Sequence, residues 1–225
     1  MKFKGTTPIE QSYKYIVCRK YTKEIEKRLI YSQKIFIIER KSLSLRRNIV
    51  WNMDFKEAQE LVKLPKWVVD EDGEIVEELT IDQEFPMRKR LNLVNRDGVK
   101  REFVLDVKQS EKFGIRLNFQ MMDDMNWGLA RLDYNSNHKN PETLTEDVPE
   151  MFHSHVAELF VGKAHLHYHV DGYPQLAWAL PLDETEIATK DVTEDDMTQG
   201  FVDAFNSFVS YLNVQTRITI NKMVI

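Results

Sequence analysis

Apolar and polar residues alternate through the first part of the chain. YKYIVCRKY and RLIYSQKIFIIERKS are rich in Ile, Val and Tyr and predict β-strands. The period changes at residue 54. In DFKEAQELVKL, Phe55, Ala58, Leu61 and Val62 share one helical face, Asp54 stands at the N-cap with Glu57 three residues on, and Pro65 ends the run. Strand periodicity then returns. Asp72-Gly73 introduces EIVEELTI, Asp97-Gly98 separates KRLNLVN from VKREFVLDV as a two-residue hairpin turn, and IRLNFQM and WGLARLDY follow with period two. PEMFHSHVAELF carries Met151, Phe152, Val156, Leu159 and Phe160 at helical spacing and predicts a short amphipathic helix. KAHLHYHV and QLAWALPL read as strands joined by the turn Asp171-Gly172-Tyr173-Pro174. Thr193 is the expected cap of a last helix with an apolar stripe of Phe201, Ala204, Phe205, Phe208, Val209 and Leu212, and TRITINKMVI closes the chain as a strand.

These elements define an α+β class: a mostly antiparallel, meandering sheet with two or three packed helices and a basic β-rich N-terminal appendage. The expected division is an appendage over residues 1–53 and an α+β domain over 54–225. The chain of 225 residues, 42% apolar and 30% charged, has the composition of a folded protein rather than a disordered one. No run approaches the roughly 20 apolar residues of a membrane helix, and the start MKFKGTTPIEQSYK lacks the apolar centre of a signal peptide, so a cytoplasmic location is expected. The single cysteine, Cys18, excludes an internal disulfide and a paired-cysteine zinc site.

Charge changes the picture. Residues 1–50 hold 13 Lys/Arg against 4 Asp/Glu, whereas residues 51–225 hold 18 against 32, which together give the net charge of −5. A basic front on an acidic body suggests contact with nucleic acid or an acidic partner through Arg19, Lys20, Arg40, Lys41, Arg46 and Arg47. The plainer reading is a β appendage with solvated lysines. Trp51 after Arg46-Arg47 and Trp67 beside Lys66 are aromatic residues that could stack on bases or fill a core. Strands such as KIFIIER could also pair in a homodimer.

Candidate chemistry centres on A-His165-L-His167-Y-His169-V. In a strand these three imidazoles share one face, where they can gather around a divalent metal or move protons near neutrality. His165 and His167 with His138, or with the carboxylate of Asp133, are the candidate metal ligands; apart from this divalent metal no cofactor is expected. The alternation also fits that of histidine-triad hydrolases and transferases, but the lead VGKA lacks that family's Gly-Gln-like step. His153 and His155, two apart on a helix, would point about 200° apart and could not serve one ion together. Arg131 and Asp133 lie on one face of a strand and can pair. If the loop NSN-His138-K-Asn140-Pro141 folds toward the histidine strand, Arg131, His138 and His167 converge in a pocket suited to phosphate or carboxylate.

The pieces EAQELVKLPK, DGVKREFVLDV, LARLDYNSNHKNPE and HLHYHVDGYPQLAWALPL together resemble a family of uncharacterised bacterial proteins often carried by prophages and other mobile elements, a domain of unknown function covering residue 54 to the end. The resemblance marks an Arg-x-Asp strand, His-x-Asn-Pro, His-x-His, a Gly-Tyr turn and a Trp-x-x-Pro-Leu strand. These are Arg131, Asp133, His138, Asn140, Pro141, His165, His167, Gly172, Tyr173 and Trp178, of which Arg131, Asp133, His138, Asn140, His165, His167 and Tyr173 form the candidate pocket. His169 falls outside the pattern, and the stretch from Leu144 to Lys163 stands as an insertion. No activity comes with the family. The setting it implies is mobile-element conflict, so the expected function is a non-enzymatic interaction protein that binds a host-defence protein or nucleoprotein target. The alternative is a histidine-dependent, metal-assisted hydrolase or nuclease acting on nucleotides or phosphodiesters.

Overall fold

The computed structural model describes residues 53–96, 98, 100–110, 115–188 and 190–222. The chain divides into two units, Met1–Asn52 and Met53–Ile225, and every described residue belongs to the second. The strands expected before residue 50, Cys18, Trp51 and the six basic residues Arg19, Lys20, Arg40, Lys41, Arg46 and Arg47 lie outside the described residues.

Helix α1 spans Phe55–Lys63, where the Glu57 backbone N–H donates to Asp54 Oδ1 at 2.7 Å and so satisfies one of the orphan donors of the first turn. Ala58, Leu61 and Val62 are buried, as the spacing predicts. The strands follow as β1 (Trp67–Val69), β2 (Ile75–Val76), β3 (Glu78–Asp82), β4 (Arg88–Val94), β5 (Glu102–Gln109), β6 (Leu117–Asp123), β7 (Gly128–Tyr134), β8 (Asn137–Lys139), β9 (Leu159–Val161), β10 (His165–Tyr168), β11 (Trp178–Pro181) and β12 (Arg217–Asn221), with helix α2 over Met197–Tyr211. Eight of them form one sheet in the order β11-β10-β7-β6-β5-β4-β1-β2, all of it antiparallel. The predicted class is therefore the observed one, an α+β fold built on a mostly antiparallel meander. The closing strand β12 departs from it: it pairs in parallel with β3 in a separate two-stranded sheet.

Two further elements differ from expectation. PEMFHSHVAELF is not one amphipathic helix but a 3-10 turn over Glu150–His155 followed by β9, which pairs with β8. Its apolar residues serve different places, since Phe152 enters the core beside Trp178 at 5.5 Å while Phe160 stacks on histidine rings. The stretch from Leu144 to Lys163 is thus part of the packed unit. Thr193 caps nothing with its side chain; it precedes a 3-10 turn at Glu194–Asp196, and α2 starts only at Met197. The stripe of α2 is as predicted, with Phe201, Ala204, Phe205, Phe208 and Leu212 buried and Val209 partly so.

The sheet has two unlike faces because its strands alternate in register. One face presents Leu91, Leu93, Phe103, Leu105, Leu117, Phe119, Met121, Leu132 and Leu166 to the core. There Phe119 meets Phe201, Phe205 and Phe208 of α2 at 5.6, 6.0 and 6.2 Å between ring centroids. The opposite face runs, strand by strand, through Arg88 and Arg90, Lys108 and Asp106, Asn118 and Gln120, Asp133 and Arg131, then His165 and His167, each cross-strand neighbours in the pairing register. Gly128 marks a close approach at the bulge in β6 and β7, since a Cβ there would come within 2.8 Å of Leu176.

Lys66 joins the helix ends. Its fully buried Nζ donates to the carbonyls of Val62, Leu64 and Leu212 at 2.8, 2.7 and 3.1 Å, so one cation satisfies acceptors at the ends of both helices. Burial pushes its ammonium down to about 7. Lys66→Met is expected to leave those acceptors unmatched and to lower stability by about 2–4 kcal/mol in urea unfolding. A change below about 0.5 kcal/mol would show that the helix ends do not depend on it.

Candidate functional site at the histidine strand

Asp133 of β7 is the centre of the site. Its neighbours follow from register: Asn118 on one side in β6 and His165 on the other in β10, with Arg131 and His167 one pleat along. Asn118 Nδ2 donates to Oδ1 at 2.5 Å, and Arg131 Nε donates to Oδ2 at 3.1 Å. His167 Nε2 stands 3.1 Å and His165 Nε2 3.8 Å from the same Oδ2. Burial works to raise the Asp133 carboxyl, while the Arg131 guanidinium and the Asn118 amide that donate to it draw it down.

Each histidine is oriented by a main-chain carbonyl. His165 Nδ1–H donates to Lys163 at 2.7 Å, and His167 Nδ1–H to Leu176 at 2.8 Å. His138 Nε2–H is shared between Ala177 O and Asn140 Oδ1, both at 3.0 Å. These bonds fix the proton on one nitrogen and leave the other as a lone pair. His167 Nε2 accepts from Arg131 Nη2 at 2.8 Å. Burial, chiefly, pushes His167 down to about 4 and lowers His165 and His138 too, so all three rings are neutral around pH 7.

The loop after β7 does fold toward the histidine strand. His138 lies edge-on to His167 with ring centroids 4.4 Å apart and stacks over His165 at 5.7 Å, while Phe160 of β9 stacks on His165 at 4.9 Å. Arg131, Asp133, His138, His165 and His167 are therefore gathered in one place. Asn140 adjoins them as a clamp: its amide bonds both main-chain groups of Ala179, accepting from N and donating to O at 2.9 Å each, and also reaches His155 O.

Tyr173 is not in this pocket. Its hydroxyl donates to Thr143 O and accepts from Thr145 N, and its ring packs on Trp178, whose cross-strand neighbour Tyr168 belongs to the core. The Gly-Tyr turn closes a loop instead. His169 also stands apart, because β10 ends at Tyr168; its Nε2 bonds to Met53 O at 2.8 Å and its ring meets Trp127. His153 bonds to Val148 O. Trp67 has Arg96 over its ring at 4.4 Å rather than the buried Lys66. Asn118 and Phe160 are site residues that sequence reasoning missed. The period-two pattern of IRLNFQM places Asn118 on the polar face, but its pairing with Asp133 requires the register.

Among the described residues, Asp133, His165 and His167 are the group whose ligand atoms could hold a metal, all within 4.8 Å of one another. His165 and His167 have 0% exposure, and Arg131, with 26% of its side chain accessible, is the most open of these five residues together with the half-buried His138.

The fold and site define an α+β domain in which an antiparallel sheet carries a buried Asp–His centre on its polar face. The chain belongs to DUF6978, a family of unknown function, which it matches over residues 53–214. No curated protein and no solved structure matches it. No described helix is long and apolar enough to cross a membrane.

His155 is a separate electrostatic element, with Glu158 on Nδ1 and Glu184 on Nε2. Burial works to lower its affinity for a proton, but the two carboxylates outweigh it and the net direction is up. The folded state thus holds this proton more tightly than the unfolded chain, whose value is about 6.5. The stabilisation is complete below that value and is lost as pH rises through the folded one. The melting temperature is expected to fall as pH rises above about 6.5, and His155→Gln to flatten that part of the profile; parallel profiles would remove His155 as the cause.

Proposed function

We propose that this domain is a binding module rather than an enzyme, and that its polar sheet face holds single-stranded nucleic acid within a nucleoprotein target. The observation that carries this reading is the separation of buried imidazoles from exposed cations on one face. His165 and His167 are fully enclosed and oriented by main chain, which suits a centre that shapes a surface and not groups that must reach a scissile bond. Arg88, Arg90 and Lys108, on β4 and β5 of the same face, are exposed.

Charge supports the choice of partner. Along this face from β4 to β7 stand four cations, Arg88, Arg90, Lys108 and Arg131, against three carboxylates, Glu102, Asp106 and Asp133, of which Asp106 pairs with Arg90 and Asp133 with Arg131, in a region where acids outnumber bases 32 to 18. Such a local reversal of sign suits a phosphate backbone. Half-buried Trp67 pairs with Val94 on the same side of the sheet, under Arg96, and offers a base-stacking surface. In the sequence, residues 1–50 hold 13 Lys/Arg against 4 Asp/Glu and are a separate candidate for contact with phosphate. In the mobile-element setting that the family resemblance implies, the target would be a host-defence complex in the cytoplasm.

The test uses the full chain and a labelled single-stranded oligonucleotide, with affinity followed against salt. The double variant Arg88→Gln, Lys108→Gln is expected to weaken binding and to reduce the slope of log K on log salt by about 1.4, roughly 0.7 for each phosphate that is no longer neutralised. Binding that survives this variant but disappears in Arg46→Gln, Arg47→Gln would assign the interaction to the front segment and overturn the sheet face as the site. Cleavage of the oligonucleotide that disappears in His167→Ala would replace this reading by the hydrolase.

A further inference from the structure

A carboxylate oxygen and two imidazole lone pairs facing one another in a buried place need positive charge between them. Asp133 Oδ2 accepts from Arg131 Nε, and His165 Nε2 and His167 Nε2 carry lone pairs because the opposite nitrogens donate to Lys163 and Leu176. Among the described residues, the cation that meets them is the Arg131 guanidinium. It bridges Asp133 and His167 at 3.1 and 2.8 Å. It leaves His165 Nε2, buried at 0% exposure, with no hydrogen-bond partner among the described residues. An unmatched buried acceptor costs about 1–3 kcal/mol, so its persistence calls for an explanation.

We propose that Asp133, His165 and His167 bind a borderline divalent cation of the zinc type, with Arg131 as the occupant that the metal displaces. The donor set suits such an ion, since nitrogen and carboxylate ligands together select it over calcium or magnesium. The ligands are already oriented: both imidazoles donate their other N–H to main-chain carbonyls, and Asn118 donates to Oδ1 of Asp133. Distances are close to those required. With bonds of about 2.0–2.1 Å, tetrahedral ligand atoms stand roughly 3.3–3.4 Å apart. The separations of 3.1 and 3.8 Å from Oδ2 bracket that figure, and the whole triad spans at most 4.8 Å.

Two neighbours border the site. The His138 ring lies 4.4 Å from that of His167 with its Nε2 taken by Ala177 O, so it lines the three-residue centre without joining the ligand set. Arg131 is partly exposed and is the residue able to withdraw to solvent. The site would thus exchange an internal cation for an external one. Arg131 belongs to both readings, but the nucleic-acid test varies Arg88 and Lys108 alone, so the two can fail separately.

The full chain, prepared without a histidine tag and stripped with a chelator, is titrated with Zn²⁺ by calorimetry and with Co²⁺ by visible absorption. One equivalent is expected, with Co²⁺ bands of nitrogen and oxygen ligation and a rise in melting temperature. His165→Gln should lower the affinity at least about tenfold, the scale on which even outer-sphere losses act. Arg131→Met keeps every ligand and removes the competing guanidinium, so it should bind more tightly than the wild type and gain a larger thermal shift. A folded wild type that takes up neither ion, or unchanged affinity in His165→Gln, overturns the site. If His165→Gln does not fold, Arg131→Met decides: tighter binding supports the proposal, and equal or weaker binding overturns it.

Discussion

The Asp133 carboxylate is the constraint around which the polar face is organised. A carboxylate at that depth is tolerable only with compensation, and donors on neighbouring positions of the sheet supply it. Asn118 comes from β6 and Arg131 from β7 itself, with His167 of β10 accepting from that guanidinium, so the compensation exists only when the meander is in register. A slip of one residue would place Leu132 and Leu166 on this face and bury Arg131 against the helices. The carboxylate therefore works as a check on pairing as well as a centre of chemistry.

The same alternation explains why the molecule has two surfaces of different character. On one side the phenylalanines of α2 close over Phe119, and the interior is sealed by apolar packing. On the other, the short β8 and β9 ribbon lies over the histidine end through His138 and Phe160, while Arg88, Arg90 and Lys108 stay in solvent. A buried polar centre thus passes into an exposed cationic row within a single face of one sheet, and the function proposed above uses that gradient.

Much of this was legible in the sequence where local pattern decides structure. The cap at Asp54, the α2 stripe and the alternation in GLARLDY and LNFQMMD each specify an element from its own residues. Strand parity put Arg131 and His167 on polar positions, but their convergence with His138 depended on the Asn-Pro loop folding toward the histidine strand, which local pattern leaves open. What escaped were features set by distant partners. PEMFHSHVAELF has helical spacing, yet β8 recruits Leu159–Val161 as a strand, and tertiary pairing overrides local periodicity. Tyr173 shares a motif with the histidines but faces another loop, because the turn at Gly172 reverses the chain before Trp178 enters the core. His169 belongs to the alternation by position and to the Met53 carbonyl by its hydrogen bond.

Asn140 has a consequence of a different kind. Strand β11 is the outermost member of the large sheet, and the amide of Asn140 occupies both hydrogen-bonding groups of Ala179, as the peptide of an adjoining strand would. A side chain here imitates main chain and terminates the ladder. The rim is thus plugged at Ala179, and lateral extension of the sheet at that residue is closed off.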